Sequence, residues 1–177
     1  MHTDTLHVFV CHFPSRLGGE LESEERRIDA ASILRTHVDS LYAAYPSPSI
    51  LIMGDFNDYP TNNSMHYVLQ AQEPNVQIDS NALYNLFYQF HDMPNMGTHK
   101  HGAEWGVLDQ LIVSGNLLQA DATFYTTPQF ARIYNADFLL IDDERHFGEK
   151  PFRTFLGMKY LGGFADHLPI VVDFFQR

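Results

Sequence analysis

The sequence predicts an α/β domain, and three observations carry that class. Leu6–Phe13, LHVFVCHF, is a Val- and Phe-rich run of strand length. Ile50–Met53 is a short, wholly apolar run, the pattern of a strand buried on both faces. Between them Ile28, Ala31, Leu34, Val38, Leu41, Tyr42 and Tyr45 recur at helical spacing, while Arg26, Arg27, Arg35 and Asp39 fall mostly off that face. Strand, helix and strand in succession make a βαβ unit, expected to close as a right-handed parallel crossover.

The elements follow in order. Pro14 stops the first strand and Ser15–Gly19 is a loop. Ser23 is expected to cap a helix over Glu24–Tyr45, with Glu24 and Glu25 in the first turn, where acids favour the helix dipole. Pro46 and Pro48 end it. Asn63–Gln70 reads as a short helix capped by Ser64, and Glu73–Asn81 as polar loop. Leu83, Leu86, Phe87 and Phe90 mark a further helix, followed by a loop over His91–Gly97. Thr98–Ser114 reads as a hairpin turning near Gly102. In its second arm Trp105, Val107, Leu111 and Val113 share one face with Asp109 among them, and Leu108 and Ile112 take the other. Phe124–Ile133 is a weaker strand. Tyr134–Gly163 is long and irregular, the kind of loop that is usually functional. Leu168–Phe174 is the last strand.

A chain of 177 residues is one domain by size. With 22 acidic against 11 basic residues, the net charge of −11 argues against a passive basic nucleic-acid binder. It leaves room for an enzyme whose cations neutralise a local acidic site. The single cysteine, Cys11, allows no internal disulfide, and its apolar neighbours predict a buried, inert thiol. Met1–Leu6 is too short and polar for a signal peptide, and no run approaches the ~20 apolar residues of a membrane span. A soluble chain is expected. Its compartment stays open, extracytoplasmic if a targeting segment precedes Met1.

Chemistry concentrates in Ile50–Pro60, ILIMGDFNDYP. Asp55 and Asn57 follow the buried strand at its carboxyl end, where open α/β sheets gather function. Two residues apart, their oxygens can leave one side of an extended chain and suit a hard cation such as Mg2+. An ordinary Gly-Asp-Asn turn is the alternative. Asp109 is the strongest internal clue, because a carboxylate in an apolar strand is costly unless it has a partner, a histidine, a metal ion or backbone amides. Asp166–His167 precedes the last strand, and His12 ends the first, near Arg16. Asp or His thus arrives at or near an end of several strands, which an active site requires and a turn does not. His99 and His101, with His91 nearby, make zinc conceivable, but no cysteine or acid stands at helpful spacing.

Four stretches resemble the endonuclease/exonuclease/phosphatase superfamily: VFVCHFPSR (Val8–Arg16), ILIMGDFND (Ile50–Asp58), EWGVLDQLIVS (Glu104–Ser114) and GGFADHLPIVVDF (Gly162–Phe174). The loop Pro151–Gly163 resembles a bacterial branch that brings no substrate with it. The resemblance implies the carboxyl-terminal portion of a four-layer α/β sandwich, two packed β-sheets flanked by helices, over 1–177 as a single domain. It also implies Mg2+-dependent phosphoester hydrolysis, with Mn2+ as the alternative ion, a nuclease as one rival and a non-catalytic, partner-binding relic as another. By similarity Asp55 aligns or deprotonates the attacking water, Asn57 positions water, metal or phosphate, and Asp166 helps hold the metal. His167 contacts the scissile phosphate, Asp109 orients and charges His167, and His12 is a second site histidine. Arg16 and Arg153 are taken as phosphate contacts. Ala165 departs from the usual Ser before Asp-His.

A larger departure is that roughly the first half of the family domain, with a metal-binding glutamate and the acidic partner of His12, has no counterpart here. Glu20, Glu22, Glu24 and Glu25 lie too near a loop and helix start to replace them. The chain is expected to associate with itself or with a separate amino-terminal half, because Ile50–Met53, Trp105–Val113 and Leu168–Phe174 are apolar on both faces and the helices cover only one.

Overall fold

The computed structural model describes residues 5–74 and 77–177. The polar stretch expected at 73–81 and the start at 1–6 fall partly outside them. The centre of the molecule is a five-stranded sheet in the order β1-β2-β7-β4-β3. β1 (Leu6–His12) and β2 (Ser49–Asp55) are parallel, joined by the helix α1 (Glu20–Ala44), so the predicted βαβ unit is present. β3 (Ala71–Gln72) and β4 (Leu83–Asn85) form the far edge, and β7 (Asp109–Ser114) runs antiparallel to both β2 and β4. Every residue of β7 is buried.

The two faces of the sheet bury separate clusters. On one, Ala31, Leu34 and Val38 of α1 pack against Ile50, Ile52, Phe56 and Ile112. On the other, Leu51, Leu111 and Val113 meet Leu86, Phe87, Val107 and Leu117. That second face is covered by the chain itself, contrary to the expected bare surface. Strands β9 (Ala131–Ile133) and β14 (Ile170–Val172) pair with each other, and Ile133, Ile170, Val172 and Phe174 pack onto the second cluster. β8 (Phe124–Tyr125) and β15 (Phe175–Gln176) extend this layer. The edge strand β1 stays open, with Val8 48% and Val10 75% exposed.

Several elements differ from expectation. α1 starts at Glu20, and Ser23 lies inside it rather than at its cap. The Ser23 hydroxyl donates back to the Gly19 carbonyl at 2.6 Å and accepts from Arg27, so it does not meet the free N–H groups of the first turn. Ser64 is likewise not a cap: it opens a π-type turn, Ser64–Val68, whose cap is Asn63. Leu83–Asn85 is strand, and only Tyr88–His91 (α2) is helical. The buried Asn85 amide donates to Gln110 on β7, a partner available only in the sheet. Pro128 starts a 3-10 turn that divides the expected strand Phe124–Ile133 in two.

The Thr98–Ser114 hairpin is present as β5 (His99–His101) and β6 (Glu104–Gly106), feeding β7. The long segment 134–163 is more regular than expected. It holds two hairpins, β10 (Leu140–Asp142) with β11 (Glu149–Pro151), and β12 (Phe155–Leu156) with β13 (Lys159–Tyr160). Buried Asp143 anchors the first, with Lys100 and Lys150 each at 3.2 Å.

Candidate active site

Register across three strands builds the floor of the site. β1 and β2 pair so that His12 stands beside Asp55, and β2 and β7 pair so that Asp55 stands opposite Asp109. The three residues form one rung across the sheet. Gly54 makes this approach feasible. Its φ of 133° is foreign to side chains, and a Cβ there would lie 2.0 Å from the Cys11 carbonyl oxygen. Cys11 is half-buried, and burial pushes its thiol up to about 11, in keeping with an inert residue.

After Asp55 the chain is bent sharply. Asn57 sits in the left-handed region at φ 50°. Its backbone N–H donates to Asp55 Oδ1 at 2.8 Å, and its Nδ2 donates to the Phe13 carbonyl and to Asp55 Oδ2. Its Oδ1 therefore remains as the acceptor that no donor among the described residues meets. Asp58 points the other way. It is fully buried beside Arg27, an ion pair at 2.8 Å, and accepts from Ser64. Arg16 locks the same loop. Nε donates to the Asn57 carbonyl at 2.7 Å, Nη1 to Glu20 at 2.9 Å, and Nη2 makes longer contacts to Asp58 and Asn62, with the guanidinium over the Tyr59 ring. The Arg16 donors expected to meet phosphate are engaged by protein oxygens in this structure.

His167 arrives from the far end of the chain. A backbone bridge joins it to His99, and Leu168 N–H donates to the Thr98 carbonyl at 2.7 Å. His167 Nδ1 lies 2.6 Å from Asp109 Oδ2, so the buried carboxylate has the histidine partner that its cost requires. Nε2 faces Asp55 Oδ2 at 4.0 Å, and His12 Nε2 approaches the same oxygen at 3.5 Å from a largely exposed ring. His12 thus has an acidic neighbour, Asp55, within the described residues. Asp166 is exposed and its carboxylate makes no hydrogen bond among the described residues. Arg153 is half-buried, likewise without a hydrogen bond or ion pair among them, and near enough to His99 for its charge to be felt there.

The electrostatics follow from burial and neighbours. Burial raises the Asp55 pKa, and the charge of Asp109 adds to this, against the opposing Asn57 N–H and the two histidines. Burial alone would lower His167, but the hydrogen bond to Asp109 and the charges of Asp109, Asp55 and Asp166 outweigh it, and its pKa rises. His99 is lowered to about 4, first by burial and then by His167. Asp55, Asp109 and His167 place one ligand atom each within 4.8 Å of one another.

A cleft of about 530 Å3 opens beside the site, lined by Arg16, Asn57, Tyr59, His99, His101 and Glu104. A second cavity, about 610 Å3, lies across the β5–β6 hairpin and holds none of the expected site residues. Strand alternation sends His99 and His101 to the first and Lys100 to the second. Sequence reasoning missed Arg27 as the buried support of the loop and His99 as a member of the site. Neither has a partner at a readable spacing.

A model of the endonuclease/exonuclease/phosphatase family matches residues 1–176. The chain belongs to this family. Among solved structures, a mannosyl-6-phosphatase from Bacteroides thetaiotaomicron is similar at 15% identity and a TM-score of 0.53, over 95% of this chain and 50% of that one. The catalytic domain of human Nocturnin with bound sulfate anion matches at 17% identity and a TM-score of 0.47, over 95% and 46%. A further family protein from Bacteroides thetaiotaomicron matches at 14% identity and 0.46, over 83% and 42%. At these identities the likeness is one of fold. No curated protein matches the chain. The chain spans about half the length of the solved structures it matches. Among the described residues no helix is long and apolar enough to cross a membrane.

Proposed function

We propose that the chain is the carboxyl-terminal part of a divalent-cation-dependent phosphoester hydrolase. The observation that carries this reading is the Asp109–His167–Asp55 constellation at the end of the central sheet, 2.6 Å and 4.0 Å across its two steps. The donor set fits a hard cation. Asp55 and Asp166 offer carboxylates and Asn57 an unmet amide oxygen, the oxygen chemistry that Mg2+ or Mn2+ takes together with a substrate phosphate. Bound there, the cation supplies positive charge against the phosphoryl oxygens as they gain charge during in-line attack.

The chain's own residues divide the remaining work. Asp55, with its raised pKa, orients water and accepts its proton as the oxygen adds to phosphorus. The ester P–O bond then breaks and the leaving oxygen takes up a proton. His167, held by Asp109 at Nδ1, presents Nε2 to a phosphoryl oxygen, and protonation makes it a donor and a charge. Arg153 has no hydrogen-bond or ion-pair partner among the described residues to leave, which suits it to a phosphate on the substrate side. His12 lies at the open edge of the site, beside Asp55.

The net charge of −11 favours a small phosphoester over nucleic acid. Two observations support a companion segment over β1. The similar mannosyl-6-phosphatase structure is about twice as long. The accessible surface is 10534 Å2, where a compact monomer of this mass has about 8,800 Å2. The test is hydrolysis of an aryl phosphomonoester and a bis-aryl phosphodiester by the chain joined to its upstream segment. Mg2+-dependent turnover that falls at least ~100-fold in both Asp55→Ala and His167→Ala supports the reading. Absence of Mg2+-dependent turnover on every phosphoester class, nucleic acid included, leaves the partner-binding relic.

A further inference from the structure

We propose that His99, Asp166 and His167 form a second cation site, selective for a nitrogen-seeking divalent ion such as Zn2+. When filled, it withdraws His167 from the phosphate. The inhibitory half of this statement rests on the hydrolase reading, and the binding half does not.

The three residues place one ligand atom each within 4.8 Å of one another. The two imidazoles are fixed by backbone. The His99–His167 bridge and the Leu168 N–H to Thr98 carbonyl bond hold their strands together, and the rings lie 4.6 Å apart between centroids at 38°. Neither the His99 ring nor the Asp166 carboxylate makes a hydrogen bond among the described residues, so both have lone pairs to give. His167 is engaged at Nδ1 by Asp109, which leaves Nε2 as its ligand atom. A carboxylate on the far nitrogen is the usual support of a metal-bound histidine, because it fixes the tautomer and raises the basicity of the ligating nitrogen. Ligand atoms around a tetrahedral zinc lie ~3.3 Å apart. The exposed Asp166 carboxylate is free to swing in and close the set.

The chemistry distinguishes this site from the oxygen-rich one, with which it shares Asp166, so the two are filled in competition. Mg2+ prefers oxygen and keeps its waters. Two imidazoles and one carboxylate instead suit a borderline ion, with one position left open. The His99-x-His101 spacing is misleading. His101 shares the strand face but is exposed and outside the group, and the true partners of His99 come from the carboxyl-terminal end of the chain. Nε2 of His167 carries either a proton, which it can donate to a phosphoryl oxygen, or a zinc ion on its lone pair, and not both at once.

The experiment is a zinc titration of the purified chain against a chromophoric chelator, in millimolar Mg2+, with Co2+ absorption as a second readout. Uptake of one Zn2+ per chain is expected, with a tetrahedral Co2+ spectrum. His99→Ala and Asp166→Asn should each weaken it at least ~10-fold, while His101→Ala stays within about twofold. Asp166→Asn alters an exposed side chain, so it keeps the test valid if His99→Ala does not fold. No zinc uptake by the unaltered chain, unchanged uptake in a folded His99 or Asp166 variant, or loss of uptake in His101→Ala would each overturn the site. Zinc uptake without any phosphoester hydrolysis by the longer protein overturns the hydrolase reading and leaves the site standing. Zinc uptake that leaves an active hydrolase uninhibited overturns the inhibitory half.

Discussion

Asp109 and His167 are 58 residues apart in the chain, and they meet at 2.6 Å. The contact satisfies a carboxylate held in a wholly buried strand, and it aims the other imidazole nitrogen at Asp55. The fold and the proposed mechanism therefore rest on the same hydrogen bond, and this dependence can be measured.

Asp109→Asn should lower turnover of the hydrolase by ~100-fold or more with little change in KM. The His167 pKa is raised by Asp109, so its removal moves the alkaline limb of the rate profile to lower pH. An alkaline limb that stays in place would detach His167 from that limb. NMR titration of the His167 ring checks the same shift without substrate.

Divalent cation should stabilise the chain more at neutral than at acid pH. Asp55 and His167 both have raised folded pKa values. Each therefore contributes stability that is complete below its unfolded pKa and lost as pH rises through the folded one. For Asp55 that loss begins near pH 4, and for His167 above about pH 6.5. A cation beside Asp55 offsets the first loss. Melting with and without Mg2+ at pH 4 and pH 7 should show the larger gain at pH 7.

Arg27→Met should destabilise the chain by up to ~3–5 kcal/mol, because it removes the closer cation from buried Asp58 and leaves only the longer contact to Arg16 and the Ser64 hydroxyl. Denaturant unfolding measures this directly. The double variant Arg27→Met with Asp58→Leu should recover part of the loss, which a packing role for Arg27 alone would not predict.

The chain on its own should turn over a bis-aryl phosphodiester more slowly than about 1 per second and should self-associate at micromolar concentration. The open β1 edge, with Val8 and Val10 exposed, is the surface expected to associate. Sedimentation of Val10→Lys should show less association than the unaltered chain. A cooperative monomer without apolar dye binding would remove this prediction.

The central strand and its Gly-Asp-Phe-Asn ending were readable because a short apolar run followed by polar residues has few other meanings. That Asp109 needs a partner was readable from the cost of its burial, and that the partner is His167 came from the resemblance. Leu83–Phe90 was not, since its apolar spacing fits a helix as well as a strand followed by one turn, and only the pairing with β7 decides. Arg27 is chemically a surface residue, and its burial depends on Asp58, 31 positions on. The cover over the second sheet face was missed because the carboxyl-terminal strands fold back as short pieces, β9 and β14, broken off from longer apolar runs.

The rung His12–Asp55–Asp109 also restricts how this chain can change in evolution. Shifting β7 by one residue would turn Asp109 to the opposite face of the sheet, and shifting it by two would carry it ~7 Å along the strand. A single insertion or deletion between β2 and β7 must therefore be absorbed entirely in a loop, or it dismantles this rung of the proposed site while leaving composition and hydrophobicity intact. The segment 134–163 lies outside that rung and is free to vary in length, so diversification among relatives should accumulate there.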